Sequence, residues 1–247
     1  MDSTFILVAV ALAYLLAGLV KGVIGMGLPT VAIGLLGLVM TPAQAAAILV
    51  VPSLVTNIWQ FAIGGGLVAL VKRIWSMLAG ICIGTYIGAL YLPHSNSGRA
   101  TFWLGVALAI YAALGLVKVE FKVPPRSESW LGLIVGAATG AVTVATGVFA
   151  LPGVPYLQSL RIERDRLVQT LGLSFTVSTI TLALALQNAG EINATLLWPS
   201  LVALVLALAG MALGQFVRGR IKPETFRLCF FLGLLVLGLS LAWRGWA

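Results

Sequence analysis

The chain has 247 residues, 60% of them hydrophobic and 9% charged, with a formal net charge of +8. Long uncharged apolar runs exclude a soluble globular protein, and eight to ten segments of ~20 residues each leave no room for an extramembrane domain. The basic residues sit in short loops between those runs, where membrane orientation accounts for them, so no nucleic-acid partner is expected.

The first apolar run, from about Thr4 to Val20, follows Met1-Asp2-Ser3-Thr4 without a basic leader or a small-residue cleavage site, so it reads as a retained helix. It enters the stretch Gly18 to Pro29, a glycine-rich break that carries Lys21. Irregular backbone at membrane depth persists only where it is buried in protein or lines a cavity, and an intramembrane lysine marks a functional site by default. A short segment from about Thr30 to Met40 follows, then the turn Thr41-Pro42-Ala43-Gln44 and a third segment from about Ala43 to Ile63. Gly64-Gly65-Gly66 ends that segment; after Lys72-Arg73 the fourth runs to about Leu92, and the fifth ends near Val117 after a polar loop containing His94. The charged stretch from Lys118 to Ser129, with Pro124-Pro125, reads as a linker. The expected organisation is therefore a first repeat over 1–120, a cytoplasmic linker over 121–129 and a second repeat over 130–247.

The second half follows the same plan. An apolar, glycine-rich run from Trp130 to about Thr146 meets a short piece broken by Pro152 and Pro155, and segments from Leu167 to Gln187, up to about Val217, and from Phe226 to Trp243 complete the chain. Gly18-Leu-Val-Lys-Gly22 lines up with Gly136-Ala-Ala-Thr-Gly140, which points to an internal duplication. Placing Lys72 and Arg73 in the cytoplasm puts all but three of the fifteen basic residues on that side, with Arg99 and Arg244 outside and Lys21 in the core. Both termini are then periplasmic, each half has an odd number of segments, and the halves are inserted upside down relative to each other. The expected fold is an all-α polytopic membrane protein of about ten segments, in two inverted five-segment repeats, each opening on a broken or re-entrant helix pair. Such pairs meeting near the midplane are a recurrent secondary-transporter design.

The candidate site follows from residue chemistry. Lys21 supplies charge, while Gly25 and Gly27 let backbone N–H groups and a helix start approach an anion. Close packing of small residues is the other reading of these glycines. Ser53, Asn57 and Gln60 form a polar stripe at i, i+4 and i+7, and Ser174, Ser178 and Thr181 repeat that spacing in the second half. Thr143, Thr146, Gly147 and Tyr156 occupy the second break, where hydroxyls either face a ligand or satisfy broken-helix backbone. All seven acidic residues fall at segment ends or in loops, so no carboxylate relay crosses the membrane. No metal site is expected, since Cys82 and Cys229 stand alone in apolar runs and His94 is in a loop. No cofactor is expected either, and no Walker motif, nucleophile elbow or paired carboxylate suggests an enzyme.

Three stretches carry a resemblance: Lys21-Gly-Val-Ile-Gly-Met-Gly-Leu-Pro29, Thr56-Asn57-Ile58-Trp59-Gln60, and Val154-Pro155-Tyr156-Leu157-Gln158 followed by Leu171-Gly-Leu-Ser-Phe-Thr-Val-Ser-Thr179. In this order they resemble the sulfite exporter TauE/SafE family of bacterial membrane permeases, over nearly the whole chain. The resemblance implies movement of small sulfur-containing anions, such as sulfite, sulfonates or sulfoacetate, across the bacterial inner membrane. The chain is expected to sit in the lipid bilayer as a monomer or homodimer. An anion channel built on the same broken helices is the alternative.

Overall fold

The computed structural model describes residues 3–63, 65–91, 97–117 and 122–246. Asp2, His94, Lys118 and Glu120 lie outside the described residues, and with them part of the expected linker. Among the described residues eight helices are long and apolar enough to cross a membrane. They are α1 (Ser3–Ile24), α3 (Pro42–Ala62), α4 (Leu67–Tyr91), α5 (Ser97–Val117), α6 (Glu128–Thr146), α8 (Arg164–Asn188), α9 (Leu197–Arg218) and α10 (Pro223–Trp246). Two short helices, α2 (Leu28–Leu36) and α7 (Gly153–Ser159), complete the order. They fall where the sequence shows its two interruptions.

Proline and glycine set the boundaries. Pro29 sits in the first turn of α2, where a missing N–H costs nothing, and Gly27 before it has φ 105°, a left-handed conformation that favours glycine. Gly147, with φ 74°, closes α6 through its N–H to the Thr143 carbonyl. α3 starts with a capping box: Thr41 Oγ1 accepts from the Gln44 N–H, and Gln44 Oε1 accepts from the Thr41 N–H, both at 3.3 Å. We expect Thr41→Ala to lower stability in detergent by about 1 kcal/mol, read as a lower thermal midpoint.

The first break is narrower than the glycine pattern suggests. α1 continues through Lys21 to Ile24, and only Gly25 to Gly27 leave the helix. Gly18 and Gly22 serve packing. A Cβ on Gly18 would lie 2.2 Å from the Ala207 carbonyl oxygen, and one on Gly22 would lie 2.3 Å from that of Met211. Gly210 and Gly214 of α9 return the contact against Leu15 and Leu19. The same small-residue crossing recurs between α6 and α4, where Gly136 and Gly140 meet Met77 and Ile81, while Gly80 and Gly84 meet Leu133 and Ala137. Close backbone approach through small residues gives membrane helices the dispersion contacts that lipid exclusion does not.

These crossings belong to a regular set. α1 packs on α9, α6 on α4, α3 on α8 and α5 on α10, with further contacts of α3 to α9 and α8 to α4. Exchanging α1–α5 in order with α6–α10 maps this set onto itself. α3 and α8 run antiparallel at the centre: Ser53 meets Thr179, and Phe61 meets Gln169. At one end of the bundle Arg73 of α4 forms a bidentate ion pair with Glu128 of α6, at 2.9 and 3.1 Å, and also donates to the Leu160 carbonyl beyond α7. Arg166 lies against Gly66 there, and Arg227 donates to the Gly115 carbonyl. Basic residues thus gather at one end, while Arg244, donating to Leu38 O, lies at the other. Cys82 and Cys229 are both exposed on the outer surface.

Candidate functional site

Lys21 lies on α1 one turn before Gly25 and is 4% exposed. Its ammonium donates to Thr56 Oγ1 at 3.1 Å and to Asn57 Oδ1, both on α3 and both fully buried. A line of hydrogen bonds leads away from it. Asn57 Nδ2 donates to Ser53 Oγ at 2.9 Å, and Ser53 Oγ is 2.9 Å from Thr179 Oγ1 on α8. Pro52 lies inside α3, so the helix lacks one N–H there, and Thr56 Oγ1 donates to the Pro52 carbonyl at 2.7 Å. The polar stripe of α3 therefore faces α1 on one side and α8 on the other.

Gln60 closes the same end. Its amide donates to the Gly25 carbonyl at 3.1 Å and to the Val168 carbonyl at 2.7 Å, joining the first break to α8. Gln169 of α8 answers by donating to the Phe61 carbonyl at 3.0 Å. Gly25, with φ 80°, has Val168 against the position of its absent Cβ, while Gly27 folds back on Val20 and Phe230.

The ammonium has only neutral oxygen partners. Among the described residues the ion pair is that of Arg73 with Glu128, and Glu163, Asp165, Glu191 and Glu224 stand at helix starts or in turns. A buried cation without a counter-charge is costly, by several kcal/mol even after relaxation, and it is relieved by an anion that takes its free valence. Lys21, Gly25, Ser53, Asn57 and Gln60 are thus brought together, and Thr56 joins them. Thr56 is missed as an isolated site residue because its sequence signal is the same as that of any helix-gluing threonine.

The second break stands apart from this cluster. Gly147 packs against Ile33 and Ala46, whereas Gly25 packs near Gln60; from Ala46 to Gln60 is about 21 Å of helix at ~1.5 Å per residue. The two breaks therefore do not meet, and they bracket the centre of the α3 and α8 pair from opposite ends. Lys21 lies toward the basic end. The hydroxyls of the second break are occupied by their own backbone: Thr143 Oγ1 donates to Thr139 O and Thr146 Oγ1 to Val142 O, each at 2.7 Å, and Thr146 Oγ1 also accepts from the Val148 N–H. Tyr156, on α7, points elsewhere again: its hydroxyl reaches the start of α6 and donates to Glu128 O at 2.6 Å. Ser174 and Ser178 lie on α8 on the side away from Ser53, where neither hydroxyl has a partner among the described residues.

The family model for the sulfite exporter TauE/SafE matches residues 10–241. The chain belongs to the sulfite exporter TauE/SafE family. No curated protein and no solved structure matches it. Membership makes it an integral membrane protein of a transporter family, in keeping with eight spanning-length helices. In this TauE/SafE chain the matched region takes in both breaks and the whole Lys21 cluster.

Proposed function

We propose that the chain is a secondary permease that moves a small sulfur-containing anion, of the sulfite, sulfonate or sulfoacetate type, out across the bacterial inner membrane. The observation that carries this reading is the buried Lys21 ammonium held by neutral oxygens alone. An oxyanion approaching it replaces the Asn57 and Thr56 oxygens as acceptor, and the Gln60 amide and the backbone N–H groups after Gly25 are the nearest further donors. In a low-dielectric site these donors act with little screening. Thr143, Thr146, Gly147 and Tyr156 take no part in this first contact.

The exchange-invariant helix pairings and the reciprocal glycine crossings support two inverted repeats of five segments, counting α2 and α7. In such a fold alternating access comes from rocking one bundle against another around the site. Gln60 spans that seam, since it binds the first break and α8 together, so release at the basic end requires its two hydrogen bonds to part. The basic end is assigned to the cytoplasm and both termini to the periplasm. An inside-negative potential then favours export by about 2.3 kcal/mol per charge per 100 mV, with no carboxylate relay needed.

The test is a thermal-shift screen of the purified chain against sulfite, sulfonates, thiosulfate and small carboxylates, followed by flux in proteoliposomes. A ligand at a hundred times its Kd raises stability by about 2.7 kcal/mol. We expect a saturable shift with a sulfur oxyanion and saturable counterflow of the same anion. Single-channel currents without counterflow would replace the permease by a channel.

A further inference from the structure

The two short helices differ in their neighbours. α2 packs against both α5 and α10, whereas α7 makes no comparable contact with either among the described residues and rests on α6 and α8 instead. A crevice with about 340 Å³ of open space lies in the difference, lined by Tyr111 and Gly115 of α5, Pro155 and Gln158 of α7, and Phe231 of α10. Ligand clefts run from about 300 to 1,000 Å³, so the space is of ligand size.

Helical register explains why α7 stands off. One side of it is fastened, through the Tyr156 hydroxyl to Glu128 O of α6 and through the Leu160 carbonyl to Arg73 of α4. Val154, Pro155 and Gln158 fall on the opposite side and line the crevice. Gln158 is exposed there, and its amide has no hydrogen-bond partner among the described residues.

Arg227 of α10 stands at the edge of the same space. It donates to the Gly115 carbonyl at 3.4 Å and lies 6.0 Å from the centre of the Phe231 ring, and both partners are wall residues. A guanidinium carries five N–H donors in a planar fork that suits phosphate and carboxylate. This one spends a single long bond on the protein and forms no ion pair among the described residues. It is a cation with donors to spare, at the basic end of the bundle.

The remaining walls are apolar. Tyr111 and Phe231 meet edge to face at 5.5 Å, and Tyr111 donates to Met26 Sδ at 3.5 Å, which ties this floor to the first break. A small hydrated anion gains nothing from such walls. The chemical match is an acid head with an apolar body, the head for Arg227 and Gln158 and the body for the aromatic floor. The next face of α10 carries exposed Leu228 and Leu232, which meet lipid in a spanning bundle, so a ligand with both parts is at hand. Basic pockets between membrane helices take anionic lipid head groups in this way.

We propose that the crevice between α5, α7 and α10 holds one anionic phospholipid from the leaflet at the basic end. Its phosphate sits on Arg227 and Gln158, and the start of its acyl chains lies against Tyr111 and Phe231. The site stands whether or not the chain moves a sulfur anion.

The full chain in detergent is titrated with dioleoyl phosphatidylglycerol, or with zwitterionic dioleoyl phosphatidylcholine, and melted at each lipid concentration. The expected result is a saturable rise of the midpoint with phosphatidylglycerol that phosphatidylcholine does not give. Arg227→Gln is expected to raise the half-saturating phosphatidylglycerol concentration about tenfold. Arg220→Gln, which removes a charge held over the Phe216 ring outside the crevice, is expected to leave it unchanged. Should Arg227→Gln fail to fold, Gln158→Leu, at an exposed position, is expected to raise it about threefold. Equal rises with both lipids overturn the site, as do crevice variants that titrate like wild type. Equal losses in Arg227→Gln and Arg220→Gln overturn it too, since they mark a diffuse surface attraction. The same rise from inorganic phosphate or methanesulfonate alone assigns the crevice to a free anion and overturns the lipid.

Discussion

Lys21→Met is expected to abolish anion flux in proteoliposomes, by at least a hundredfold, while leaving the fold intact. Methionine fills nearly the same volume on the α1 face that meets Thr56 and Asn57, so no cavity opens. What disappears is the one buried charge among the described residues, and with it the attraction for an oxyanion. A hundredfold loss corresponds to about 2.7 kcal/mol of transition-state stabilisation, within reach of one charge-assisted hydrogen bond in a site of low dielectric. Stability should hold or rise, because removing a buried ammonium without a carboxylate partner relieves its desolvation cost and leaves Asn57 bonded to Ser53. The thermal shift given by the best anion in wild type should vanish as well. Undiminished flux would take lysine out of the mechanism, whereas a collapsed midpoint would show Lys21 to be structural.

The second large effect concerns folding. A Cβ at Gly84 would lie 1.9 Å from the Ala137 carbonyl oxygen and within 2.6 Å of two more backbone atoms of α6. Backbone cannot swing aside as a side-chain tip can, so α4 and α6 must separate along a crossing that also holds Gly80, Gly136 and Gly140. We expect Gly84→Ala to cost about 3 kcal/mol or more and to deplete the monodisperse peak on size exclusion. Gly233→Ala is the control. It sits inside α10 with nothing within 4 Å of its absent Cβ, and alanine there should be neutral or gain up to about 1 kcal/mol from helix propensity. A Gly84→Ala protein that behaves like wild type would show that the helices have more room than the crossing implies.

These two residues mark the line between what could be read from the chain and what could not. The spans were legible because membrane-length apolar runs bounded by glycine, proline and charge have few other solutions, and α3, α8 and α10 depart from their expected bounds by a few residues at each end. The breaks were legible from Gly25 to Pro29 and from Gly147 to Pro155, since proline and left-handed glycine act on the backbone locally. Glycine itself is ambiguous in sequence. Gly18 and Gly22 look like part of the break, yet they are helical and serve contact with α9, because a glycine admits a neighbouring backbone as readily as it admits a turn.

The sequence by itself determined the class of protein, the approximate places of the apolar segments, the positions of both interruptions and the lysine inside an apolar run, because each depends on local composition. Only the tertiary structure decided how these are shared out. It placed Lys21 against Thr56 and Asn57, brought Gln60 across to Gly25 and Val168, and set the two breaks at opposite ends of the α3 and α8 pair. It also left the Ser174 and Ser178 hydroxyls without a hydrogen-bond partner among the described residues and tied Thr143 and Thr146 to their own helix. A helical stripe fixes which residues share a face, while the neighbour that face meets is set by packing of distant segments, and matched spacing in two halves carries no information about it.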